Sequence, residues 1–204
     1  EIKTQLPNTL AHFFEKHHSP TQSLKGKNLI AFSVLLEYLK DFLEYDQTCA
    51  QREEIYIESL EKEYQMTLQI PGVSQEVLFK GSLDRVDKRN GVTHIIDFKT
   101  GTVKPAELKL KDWEGLKDSP EKGKIFQLLS YAALYGNSHG NEPVKTGIYS
   151  FKNTQEGYMF FEDSLKPSDK STVEEGAWSE FKEILIDVVQ ELFNIEKPFV
   201  EKEV

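Results

Sequence analysis

"FKGSLDRVDKRNGVTHIIDFKTG", running from Phe79 to Gly101, is the stretch on which the reading of this chain turns. Apolar and polar residues alternate on both sides of Asn90-Gly91. Both of those residues tolerate the positive φ of a type I′ turn, so the stretch predicts a β-hairpin. Asp84 lies six residues before Asn90 and Asp97 six residues after Gly91, which sets them directly across from one another. Cross-strand partners hold their Cβ atoms about 5 Å apart. Two carboxylates so placed repel unless a proton or a cation lies between them, and a hard divalent cation with oxygen ligands meets that need. Lys99 is two residues beyond Asp97, so strand alternation returns it to the same face. An ammonium there can orient a water or stabilise charge developing on a phosphate.

The plainer reading of the same residues is a solvated hairpin face on which Asp and Lys alternate. Against it stand Leu83, Ile96 and Phe98 on one face, with Val86 and Ile95 on the other. That pattern predicts strands buried on both sides, where an uncoordinated carboxylate is costly. Arg85 and Asp87 point away from the Asp84 face and read as an ion pair supporting the site. Thr100 and Gly101 are expected to shape the exit of the strand, with Gly101 permitting a turn.

Outward from the hairpin, residues 63–70 alternate as a strand closed by Pro71-Gly72, and residues 55–60 are mixed. A short helix is expected over 4–17, and a stronger one over 28–47, where Ile30, Val34, Leu35, Leu39, Phe42 and Leu43 recur at helical spacing. Beyond the hairpin, residues 113–122 form an irregular connection. Ser119-Pro120-Glu121 has the form of a helix start, and that helix should run to about Tyr135 and stop at Gly136. Residues 144–151 and 157–161 suggest a second hairpin. An amphipathic helix over 174–194 closes the chain, with Trp178, Phe181, Leu185, Val188 and Leu192 on one stripe. The order α-α-β-β-β-α-β-β-α indicates an α/β fold, a central mixed sheet flanked by helices. Residues 1–53 are expected to form a helical segment packing on a core of residues 54–204.

The 204 residues carry a net charge of −9. That excludes a broad cationic surface for nucleic acid but not a nucleic-acid enzyme, whose metal-binding carboxylates add to the negative total. Cys49 is the only cysteine, so the chain holds no internal disulfide and no thiolate-built zinc or iron–sulfur site. No apolar stretch spans a membrane and no signal-peptide pattern is present, so a cytoplasmic protein without a membrane partner is expected. His12, His17 and His18 have no carboxylate at metalloprotease spacing and read as a solvated helix end. The chain opens on Glu1 rather than methionine and reads as a piece of a longer protein.

"GSLDRVD", "IIDFKTG" and "QLLSYAALYG" occur in this order over roughly residues 54–151. In this the chain resembles the nuclease domain of the RecB and AddB type, within the PD-(D/E)XK superfamily. The resemblance implies a restriction-endonuclease-like core in α-β-β-β-α-β order and hydrolysis of DNA phosphodiesters with Mg²⁺ or Mn²⁺. It matches Asp84 and Asp97 to the two metal-binding acids and Lys99 to the catalytic lysine. It adds the carbonyl of Phe98 as a further ligand, and Gln127 and Tyr131 as a Gln-x-x-x-Tyr element facing the site. It also implies an exonuclease of a bacterial helicase–nuclease acting on double-strand breaks. No GxxxxGK[ST] loop is present, so the helicase partner would lie on another segment or chain. The family's upstream His or Glu ligand has no clear match and is expected before Glu1, with Glu37 and Glu44 as stand-ins. The cysteines of the iron–sulfur cluster found in some members are missing. The competing readings are a catalytically inactive module of the same fold that binds DNA or a partner subunit, and a nuclease of restriction or recombination type.

Overall fold

Asn90 and Gly91 have φ of 48° and 81°, the paired positive values that a type I′ turn requires. The turn joins β2 (Val77–Arg89) to β3 (Val92–Lys99). Their antiparallel register pairs Arg89 with Val92, Asp87 with His94 and Arg85 with Ile96. In this computed structural model, which describes residues 2–17 and 25–198, the chain divides into two compact units. One ends at Glu53 and the other begins at Glu54. The second begins where the hairpin tip is pinned: Asn90 donates its N–H to the carbonyl of Glu54 at 2.9 Å, and Glu54 N–H returns a bond to Asn90 Oδ1 at 3.0 Å.

The first unit is a helix pair, α1 (Ile2–His17) and α2 (Lys27–Ala50). Phe14 meets Phe32 edge-on at 5.8 Å, and Lys3 pairs with Glu44 at 3.1 Å. His18 lies outside the described residues.

The second unit is built on a six-stranded mixed sheet. Its path runs from β1 (Ile55–Leu68) through β2 and β3 to β5 (Val144–Ser150) and β6 (Tyr158–Phe160), and β8 (Thr172–Val173) also pairs with β5. β3 and β5 are parallel, with Asp97 beside Ile148; the other pairs are antiparallel. β4 (Lys109–Leu110) and β7 (Glu162–Asp163) form a separate parallel pair. The fold is thus mixed α/β, with a central mixed sheet and helices against it. Helices α3 (Gly123–His139) and α4 (Glu175–Leu192) share one hydrophobic core with the sheet, in which Val86, Ile95, Leu128, Ile148 and Phe181 are buried.

Several sequence expectations change in detail. β1 is one strand of 14 residues rather than a mixed segment followed by a shorter strand. It is an edge strand, so Glu61, Lys62 and Glu63 remain solvated along it and mask the alternation. A register shift between Ile57 and Ser59 makes Glu58 a bulge residue. Glu61, across from Asp84 in that register, has φ of 49° and drops out of the ladder. Here the pleat changes phase: Leu83 joins Val86 and Ile95 in one core cluster, rather than facing away from them with Ile96 and Phe98.

Ser119 does not cap α3. It precedes a 3₁₀ turn, Pro120–Lys122, without a side-chain bond, and α3 starts at Gly123. Nor does Gly136 stop that helix. Gly140, with φ of 73°, ends it, while Gly136 lets α4 approach: a Cβ at 136 would lie 2.7 Å from Trp178 Cη2. On α4 the buried stripe takes Val189 in place of Val188, and Leu192 is exposed. A Gly136→Ala variant is expected to lower stability by about 1–2 kcal/mol, the overpacking of Trp178 outweighing the better helix propensity of alanine, about 1 kcal/mol. A urea midpoint that rises instead would show that Trp178 can move aside.

Among the described residues, no helix is long and apolar enough to cross a membrane.

Candidate metal-binding active site

Asp97 lies near the C-terminal end of β3, and its side chain is almost fully buried at 4% exposure. The hairpin ladder ends at Arg85–Ile96, one rung short of the two aspartates. There Asp84 departs from regular pairing, and its Oδ2 accepts the N–H of Phe98 at 2.7 Å. A strand residue directs its N–H and C=O to the same side, so the Phe98 carbonyl also turns toward the Asp84 side of β3.

Three side chains converge on Asp97. Gln127 Nε2 donates to Oδ1 at 3.2 Å, and the Tyr131 hydroxyl donates to the same oxygen at 3.3 Å. Lys99 Nζ stands 2.8 Å from Oδ2 in an ion pair. That contact lies off the hydrogen-bond direction, so Oδ2 is a buried oxygen with no aligned donor. Lys99 instead aims its hydrogen bond at Gln127 Oε1, 2.8 Å away, and Gln127 Nε2 also reaches the Tyr131 hydroxyl at 2.7 Å. Gln127 therefore accepts from Lys99 and donates to Asp97, fixing the lysine against the acid from the helix side. The i, i+4 spacing on α3 brings Gln127 and Tyr131 to one face.

Burial raises the pKa of the Asp97 carboxyl above its ordinary value. Lys99 opposes the rise, and Asp84 adds to it by like-charge repulsion. Tyr131 is pushed up to about 12 by its burial and then by Asp97, so it remains a hydroxyl donor at any working pH. Both carboxylates raise the Tyr131 value, as two acids facing one volume should.

The arrangement fits a divalent cation. Oδ2 of Asp97 has the Lys99 ammonium beside it but no aligned hydrogen bond, and Asp84 lies near enough to destabilise its charge. Among the described residues no third His, Cys, Asp or Glu joins them. Mg²⁺ is held by one or two carboxylates, with waters and phosphate oxygens completing its shell, so two acids suit an ion that shares its coordination with a substrate.

The supporting residues are distributed as follows. Asp87, fully buried, accepts from Arg85 Nε at 2.7 Å and from Arg89 Nη2 at 2.7 Å; Arg89 was not singled out from sequence. Thr100 is exposed at a bend. The Gly101 carbonyl accepts from Ser150 Oγ at 2.8 Å. Gly101 lies at the same bend, is not among the positive-φ residues, and a Cβ there meets nothing within 4 Å, so the bend does not require glycine. Glu37 and Glu44 form ion pairs with Lys40 and Lys3 within the first unit.

Sequence reasoning also missed a cluster farther along α3. The Tyr135 hydroxyl donates to both carboxylate oxygens of Glu58, at 3.1 and 3.0 Å, and His139 stacks on the Tyr135 ring at 3.9 Å. The four-residue spacing of Gln127, Tyr131, Tyr135 and His139 was the available signal. Their shared face holds α3 against β3 at one end and against the bulge of β1 at the other.

A family model for the PD-(D/E)XK nuclease superfamily matches residues 3–203 of the chain. No curated protein matches it.

Proposed function

The chain belongs to the PD-(D/E)XK nuclease superfamily, and from that premise we propose that it is a Mg²⁺- or Mn²⁺-dependent deoxyribonuclease centred on Asp84, Asp97 and Lys99. The observation that carries this reading is the buried Oδ2 of Asp97. It has no aligned hydrogen bond, faces the like charge of Asp84 and stands 2.8 Å from Lys99.

In this reading Asp84, Asp97 and the Phe98 carbonyl hold the cation. When bound, the ion supplies Lewis acidity to the phosphate and lowers the pKa of a water. Lys99 orients the nucleophile and offsets the charge that builds on the phosphate oxygens. Gln127 accepts from Lys99 and holds it beside Asp97. Tyr131 donates to Asp97 Oδ1 and leaves Oδ2 turned toward the ion. Arg85 and Asp87 brace β2 from its other face, and Thr100 with Gly101 leads the strand out of the site.

The finer assignment is an exonuclease of the RecB and AddB type, cytoplasmic, working with a helicase domain or subunit in double-strand break processing. It rests on the order of the three sequence blocks.

The test incubates the chain with linear and covalently closed DNA at low salt, in Mn²⁺, Mg²⁺ or EDTA, and measures Mn²⁺ binding by calorimetry. Metal-dependent shortening of linear DNA is expected, slow because the chain is acidic. Mn²⁺ binding without cleavage would favour a catalytically inactive DNA-binding module. Cutting of closed circles would favour a restriction-type endonuclease. Absence of Mn²⁺ binding would remove the site altogether.

A further inference from the structure

Lys99 and Gln127 touch inside the site, and the segments that carry them are joined a second time outside it. Downstream of Lys99 the chain forms a 3₁₀ turn, Pro105–Leu108. Within it Glu107 Oε1 accepts the N–H of Lys104 at 2.9 Å, while Glu107 N–H donates to the Lys104 carbonyl at 2.9 Å. The other carboxylate oxygen, Oε2, takes Lys124 Nζ at 2.6 Å. Lys124 is in the first turn of α3 and three residues before Gln127, so the two lie on neighbouring parts of one flank.

The start of α3 needs such a tie. Its first residue is Gly123, whose N–H goes to the Pro120 carbonyl of the preceding 3₁₀ turn, and no side chain caps the helix, so the side-chain bond that usually orients a first turn is missing. The strand-exit segment is well fixed on its other side. Phe151 N–H donates to the Lys99 carbonyl at 2.9 Å, Ser150 Oγ to Gly101 O at 2.8 Å and Asn153 Nδ2 to Val103 O at 2.9 Å. Val103 and Leu108 are buried and set the depth of the segment, but an apolar contact does not fix the azimuth of a helix end. The Glu107–Lys124 pair is directional, and Lys124 holds the Glu107 carboxyl below the usual carboxylate range.

We infer that Glu107 and Lys124 are positioning residues, whose ion pair fixes the first turn of α3 against the strand exit so that Gln127 aligns Lys99 for reaction. The inference rests on the nuclease reading above and adds to it two residues that neither touch the reacting atoms nor bind the metal.

A double-mutant cycle tests it. Glu107→Gln keeps an oxygen for the Lys104 amide and loses the charge; Lys124→Gln loses the other charge. Each is expected to lower kcat about ten-fold, a misplacement effect, with KM and Mn²⁺ affinity unchanged. The double variant should be no slower than either single one, because both remove the same interaction. The side-chain amide resonances of Gln127 should shift or broaden in every variant. Unchanged kcat in both single variants, or losses that multiply in the double one, would overturn the inference. So would a raised KM and a flatter salt dependence for Lys124→Gln alone, which would make that lysine a phosphate contact. Should the parent chain bind Mn²⁺ and cleave nothing, the nuclease reading fails separately. The Gln127 resonances then decide the clamp, and no change in Glu107→Gln would sink it.

Discussion

An Asp97→Asn variant is expected to lose Mn²⁺ binding and DNA cleavage, the latter by about a thousand-fold or more, and yet to melt higher than the parent in the absence of metal. The loss follows from removing one of the two acids that meet at the site among the described residues. The gain follows from linkage. Burial places the folded pKa of Asp97 above its unfolded value, so its stabilising contribution is fully present below the unfolded pKa, near 3.9 for an ordinary Asp. It is lost as pH rises through the folded value. Above the unfolded pKa the carboxyl therefore burdens the metal-free fold, and the amide relieves that burden while still accepting from Gln127 and Tyr131. For the parent, metal at 100 times its Kd should restore about 2.7 kcal/mol; for the variant it should restore nothing. Thermal melts with and without Mn²⁺ at pH 5 and pH 7 decide the matter. A metal-free variant that melts lower at pH 7 would mean that the Lys99–Asp97 ion pair outweighs burial.

Lys99→Ala should lower kcat by roughly 10²–10³, the usual effect of removing one preorganised donor to a developing anion. Mn²⁺ affinity at neutral pH should survive, because the lysine is not a ligand. The acid side of the pH profile gives a second signature. Lys99 pulls the Asp97 pKa down against burial, so removing it lets that pKa rise further. Metal must displace the proton from the carboxyl. Metal affinity and residual cleavage in the variant should therefore begin to fall at a higher pH than in the parent. Arginine should rescue poorly, since its planar fork does not reproduce the single point contact with Gln127 Oε1. Near-normal cleavage by Lys99→Ala would leave Lys99 a solvated strand residue.

What the sequence could reveal of this fold follows from how local each feature is. The hairpin was legible because Asn90 and Gly91 each admit a positive φ, and its register put Asp84 and Asp97 at one end by counting alone. The extent of β1 was not legible, because an exposed edge strand need not alternate and the phase change at Glu61 breaks what pattern there is. Gly136 looked like a helix stop because its actual neighbour, Trp178, comes from α4, 42 residues later. The meeting of Lys99 with Gln127 was implied only by family resemblance; nothing in their spacing announces it. Glu107 and Lys124 looked like two surface charges among many, and only the packing of the 3₁₀ turn against α3 gives them a common purpose.

The turn at Asn90 and Gly91 also sets an order of assembly. Closing a two-residue loop loses little chain entropy, whereas bringing α3 back onto β3 and pairing β3 with β5 requires long loops to close first. Asp84 and Asp97 are thus driven together by the most local contact in the sheet, before Gln127, Tyr131 and the Lys99–Gln127 bond can form. The acidic half of the site is built ahead of the half that restrains it. Its mutual repulsion is a toll on the folding of the hairpin itself, and a divalent cation can relieve that toll at the nascent strand pair as well as in the finished fold.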